Sequence, residues 1–179
     1  MSRHPDRPPD FSAGNPSIFT RFNAHIAKWG MYFSIVGLFA IIAIVAYQVF
    51  GRYVMNDSPT WAENLALVLI LYVTLIGAAV GVRDAGHIGM ESLLILLPEE
   101  PRNKIEMLIH VLVAVFGVAM VYNGTVLAVS VAPYKLANIN LSEAVRYVPL
   151  VISGTLIFLF SIEHLVALIQ GAEVEPAWH

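Results

Sequence analysis

The chain has 179 residues, 58% of them hydrophobic and 13% charged, with a mean hydropathy of +0.71, a net charge of −3 and no cysteine. A soluble domain of this length carries about a quarter charged residues, so most of this chain faces something other than water. The lack of cysteine excludes a disulfide framework and any thiolate-bound metal or cluster, and the near-neutral balance gives no sign of a nucleic-acid partner.

Residues 1–16 form a polar tail, and the first 28 residues are too polar and Pro-rich for a signal peptide, which needs an apolar core, so the N-terminus is expected to be retained. From 17 to 29, Phe19, Phe22, Ile26 and Trp29 recur at helical spacing, with Arg21, Asn23 and Lys28 elsewhere around the wheel. That pattern predicts a membrane-anchoring amphipathic helix lying in the interface, the alternative being a simple extension of the first span into the headgroups. A four-helix membrane domain over 30–170 follows, because apolar runs of about 20 residues cross a ~30 Å hydrocarbon core. The spans are expected at about 30–51, 61–82, 106–131 and 146–170, the last with Pro149 inside it. Between the second and third, the apolar run at 87–97 is too short to span, and it predicts a short helix resting on the membrane face. Residues 171–179 form a C-terminal tail.

Lys and Arg set the orientation. With the N-terminus inside, seven of the ten fall on the cytoplasmic side and three outside. The expected fold is therefore an all-α integral membrane protein with four transmembrane helices, short interfacial helices and both termini in the cytoplasm.

The span centres are apolar. Tyr47, Gln48, Tyr72, Thr74, Tyr122, Asn123, Thr125, Ser153 and Thr155 are the polar exceptions, read as interhelical hydrogen-bonding groups. An independent transporter usually holds ionisable groups near the midplane or a pair of broken helices, and neither is present. Gly77 and Gly81 form a GxxxG on the second span, suited to close packing within the bundle or against a partner. There is no HExxH, GxSxG or P-loop and no intramembrane carboxylate pair, so neither an enzyme nor a cofactor is expected. His110 and His164 lie toward the cytoplasmic ends of the third and fourth spans. A haem held between them, in the membrane anchor of a redox complex, is the alternative reading.

The loop between the first two spans concentrates Arg52, Tyr53, Asn56, Asp57, Trp61 and Glu63. Thr60-Trp61-Ala62-Glu63 can form a capping box, with Ser58 capping ahead of Pro59 as the competing start. Arg52 ends one span and Glu63 opens the next, so the two can pair across the hairpin.

FGRYV, a short polar turn, WAEN and then GAAVGVRDAGHIGME, within residues 47–97, resemble the small membrane subunit of tripartite ATP-independent periplasmic (TRAP) transporters, the DctQ family. Its recurrent features fall on Arg52, Trp61, Glu63, Arg83, Gly86, His87 and Ile88, while Asn64 and Glu91 stand where a second acidic residue and an Asp are common. The resemblance implies a subunit of the bacterial inner membrane, partnered by a large multi-span permease that carries the substrate and sodium sites. It also implies a periplasmic substrate-binding protein and uptake of an organic acid driven by an ion gradient. Arg52, Trp61, Glu63, Arg83, His87, Gly77 and Gly81 are then the expected subunit-interface or structural residues.

Overall fold

The computed structural model describes residues 18–57, 59–84, 99–136 and 139–170. Four helices dominate it: α1 (Ile18–Tyr53), α2 (Thr60–Asp84), α3 (Glu99–Val131) and α4 (Val148–Gln170), with a short 3-10 turn, Glu143–Arg146, before the last. Each contains a stretch long and apolar enough to cross a membrane. The expected interfacial segment at 87–97, with His87, lies outside the described residues, as do the two tails.

At ~1.5 Å per residue, the 36 residues of α1 extend about 54 Å, well beyond a ~30 Å hydrocarbon core. The helix predicted separately over 17–29 is instead the opening of α1, which runs unbroken into the first span. No proline or glycine interrupts residues 18–29 to divide the helix there. The expected anchoring residues also divide by face: Phe19, Phe22 and Trp29 are exposed, whereas Ile26 packs against a core of Ala27, Val80 and Phe160.

The helices stand in a row. α1 packs on α2, α2 on α4 and α4 on α3, so α2 and α4 lie parallel at the centre with α1 and α3 antiparallel on the flanks. Small residues set the spacing. On α1, Asn23, Ala27, Gly30, Ser34 and Gly37 recur every three or four residues along the side that meets α2. A Cβ on Gly30 would come within 2.8 Å of Val80, and Ser34 donates to the Val73 carbonyl at 3.3 Å. Between α3 and α4 the backbones themselves touch: a Cβ on Gly117 would fall 2.8 Å from the Gly154 carbonyl oxygen, and one on Gly154 2.8 Å from that of Gly117. Such approaches supply the van der Waals packing that holds helices together where water does not drive them.

Of the GxxxG pair, only Gly77 serves this purpose, its α-carbon facing Ser34; a Cβ on Gly81 would meet nothing within 4 Å. Pro149, expected within the fourth span, sits in the first turn of α4, where the missing N–H costs no intrahelical bond. The intramembrane hydroxyls and amide also differ from expectation. Asn123, Thr125, Ser153 and Thr155 donate to carbonyls of their own helices, at 2.7–3.3 Å, because a carbonyl three or four residues back is always in reach. Tyr72 does cross to another element, donating to the Val145 carbonyl at 3.1 Å.

Candidate functional site

At the turn of the α1–α2 hairpin, the chain folds back on Gly51. The Asp57 amide donates to the Gly51 carbonyl at 3.1 Å, and a Cβ on Gly51 would lie 2.9 Å from the Asp57 oxygen. Asn56 makes the turn at φ 50°, a left-handed conformation that Asn tolerates better than most residues. α2 then starts at Thr60, the Ala62 amide donating to the Pro59 carbonyl at 3.0 Å; Ser58 lies outside the described residues. Trp61 packs on Tyr47 with ring centroids 6.2 Å apart.

Arg52 and Glu63 are both exposed, and they do not pair: the ion pairs among the described residues lie elsewhere. Asn64 instead accepts from Arg146 at 3.2 Å, and Arg146 also meets Glu143 at 3.4 Å, tying the 3-10 turn to the start of α2.

The opposite end holds the buried ionisable groups. Arg83, in the last turn of α2, places Nε and Nη2 on the two oxygens of Glu163 at 3.1 and 3.0 Å, and Nη1 on Asp84 at 3.0 Å. Its guanidinium lies 6.0 Å from the centre of the Phe160 ring. His164 Nε2–H donates to the Arg83 carbonyl at 3.0 Å, satisfying one of the acceptors that a helix C-terminus leaves open. The His164 ring stacks on His110 of α3, with centroids 4.6 Å apart and planes 7° from parallel. Asn23 of α1 is fully buried near the same end. One arginine thus joins α2 to α4, and one histidine pair joins α4 to α3.

Burial of this pair is favourable only with good geometry, and a bidentate fork supplies it. With its edges on Glu163 and Asp84, Arg83 has no fork to offer a carboxylate substrate. The histidines do not fit a haem either. A porphyrin would have to lie between two imidazoles whose nitrogens face the iron from opposite sides. Here the rings lie face to face in contact, and His164 Nε2 is committed to a backbone carbonyl.

Of the expected residues, the structure brings Arg83 together with Glu163, His164 and His110. It leaves Arg52, Trp61 and Glu63 at the far end, and Gly77 between α1 and α2. Glu163 and Asp84 were not foreseen as partners of Arg83. Their available signal was the coincidence of an acid on the fourth span with an arginine on the second, both near the same membrane face.

The sequence model of the family described as "Tripartite ATP-independent periplasmic transporters, DctQ component" matches residues 41–171. The chain belongs to the DctQ family. It is similar to the sialic acid TRAP transporter small permease protein SiaQ of Vibrio cholerae, at 24% identity over 131 residues, covering 73% of this chain and 76% of that protein. A putative TRAP transporter small permease protein of Haemophilus influenzae is 20% identical over 140 residues, 78% of this chain and 85% of that one. The sialic acid TRAP transporter permease protein SiaT of Haemophilus influenzae is 34% identical over 76 residues, 42% of this chain but 12% of SiaT. This DctQ-family chain is thus a small permease subunit of a TRAP transporter and a multi-pass protein of the inner membrane.

Proposed function

We propose that this DctQ-family subunit is the fixed scaffold of a secondary, ion-gradient-driven importer of an organic acid, with sodium as the coupling ion. It packs against a large multi-span permease, receives no substrate itself, and works with a periplasmic binding protein. The observation that carries this reading is the placement of charge. The stretches 30–51, 64–82, 111–131 and 147–162 contain no Asp, Glu, Lys, Arg or His, and the buried ionisable groups bond to one another at one end. Intramembrane charge is costly and marks ion and substrate paths; a subunit without it at mid-depth serves a partner that has it. Two relatives are named for sialic acid, a carboxylated sugar, which supports an organic acid as the substrate class.

The long α1 and the apolar flanks of α1 and α3 suit a body that holds its position while a domain of the partner moves. Both termini lie in the cytoplasm on this reading, which puts the Arg83 cluster at the inner face and Arg52, Trp61 and Glu63 at the outer one. The test is purification of the full, tagged chain from its native membrane in a gentle detergent, with mass spectrometry and a visible spectrum. A stoichiometric, much larger multi-span permease and no Soret absorbance are expected. A chain recovered alone with a Soret band would sink the scaffold reading.

A further inference from the structure

We propose that the outward face of the first turns of α1 is a binding site for anionic phospholipid headgroups. Arg21, His25, Lys28 and Tyr32 follow one another at intervals of four, three and four residues, so at 3.6 residues per turn they share one stripe. All four are exposed. The stripe lies on the side of the helix opposite Asn23, Ala27, Gly30 and Ser34, the residues turned toward α2. Among the described residues it points away from the other helices.

Its chemistry favours an anion at the membrane surface. Residues 18–53 contain no Asp or Glu, and neither Arg21 nor Lys28 enters an ion pair among the described residues. Trp29 is 64% exposed and Tyr32 50%, and such rings settle at the headgroup level. Trp29 Nε1–H donates to His25 Nε2 at 2.8 Å, the rings meeting edge-on at 6.2 Å. That bond makes Nε2 an acceptor, which in a neutral imidazole leaves the remaining N–H on Nδ1 for a phosphate oxygen. Beyond Tyr32 the same side turns purely apolar with Ile35 and Phe39, both exposed. With acyl chains against Ile35 and Phe39, the phosphate comes level with Lys28, and Arg21 extends the positive field outward, with the His25 N–H as a further donor. Polybasic segments at this depth attract anionic lipid by about fivefold per basic residue.

The test uses the full chain with Trp61→Phe and Trp178→Phe, so that Trp29 reports alone. It is reconstituted in phosphatidylcholine bilayers carrying the same minor fraction of either brominated phosphatidylglycerol or brominated phosphatidylcholine. The brominated phosphatidylglycerol is expected to quench Trp29 at least about fivefold more strongly at low salt, the contribution of one of the two basic residues, with the preference collapsing in ~1 M salt. Arg21→Gln with Lys28→Gln abolishes the preference, and Arg52→Gln, at the other end of α1, keeps it. Equal quenching by the two lipids, or a preference that survives both high salt and the double substitution, would overturn the proposal. So would loss of all lipid quenching when the large permease is co-reconstituted, because the stripe would then be a protein interface. The lipid comparison and its salt dependence need no substitution in the stripe, so a misfolded double variant would not shield the idea.

Discussion

Arg83 is the residue on which most of the α2–α4 end of the bundle depends, because among the described residues it is the cation shared by two buried carboxylates. Removing one partner of a buried pair leaves the other charge uncompensated, at about 3–5 kcal/mol. Arg83→Met, which takes the shared cation from both Glu163 and Asp84, is therefore expected to lower the stability of the isolated chain by about 3 kcal/mol or more, read as a fall in unfolding midpoint in detergent. Adding Glu163→Met removes one of the two carboxylates that lose Arg83 and should recover part of that loss, with Asp84 keeping the rest. At the α1–α2 hairpin the logic differs. Arg52 and Glu63 are exposed and do not meet, so their contribution to the isolated chain is small. Glu63→Arg should impair uptake or co-purification of the large permease while leaving the chain's own stability unchanged. Adding Arg52→Glu is expected not to restore function; restoration in an uptake assay would show that the two do pair in the assembled transporter.

At the scale of helices, backbone proximity decides which glycines can change. Gly154→Val would force its side chain into the Gly117 carbonyl and Met120 Cβ, both 2.8 Å from the position of a Cβ. Overpacking of this kind costs about 1–3 kcal/mol, so separation of α3 from α4 should appear as a lowered unfolding midpoint. Gly81→Ala meets nothing within 4 Å, and in the isolated chain it should be neutral or slightly stabilising, since Ala is the better helix former. If Gly81→Ala then weakened co-purification of the permease, the open side of Gly81 would be a subunit contact. The α1–α2 pair depends instead on the stripe from Asn23 to Gly37, where small groups let two apolar helices meet with few large side chains between them.

For the whole molecule, the antiparallel order sets the start of α1, the end of α2, the start of α3 and the end of α4 at one face. Because the chain has no cysteine, single cysteines report topology without background. With both termini cytoplasmic, Asp57→Cys should react with a membrane-impermeant maleimide on spheroplasts, and Glu175→Cys only after the membrane is opened. The reverse pattern would invert the orientation and move the Arg83 cluster to the outer face. The row arrangement also leaves α1 and α3 with broad exposed apolar faces, so a partner can approach from either flank without disturbing the central α2–α4 pair.

Four spans, their order and the hairpin between the first two could be read from the chain, because hydropathy and helical rise are local properties that bilayer thickness turns into element lengths. The family pattern at Arg52, Trp61, Glu63 and Arg83 was equally plain, since those residues stand out against apolar neighbours. Which of them meet was not. Arg83 and Glu163 are 80 positions apart, and nothing in either local sequence states that α2 and α4 lie side by side and parallel. The same applies to Gly117 and Gly154, whose contact exists only once two backbones cross. The polar groups of the spans show the limit from the other side: Asn123, Thr125 and Thr155 could serve a neighbour or their own helix, and the structure leaves all three exposed, each bonded to a carbonyl of its own helix. Sequence alone determined that this chain lives in a membrane and how many times it crosses, because burial in lipid is a property of each segment. Tertiary structure decided where its charges go, because a buried charge is tolerated only where another segment supplies its partner.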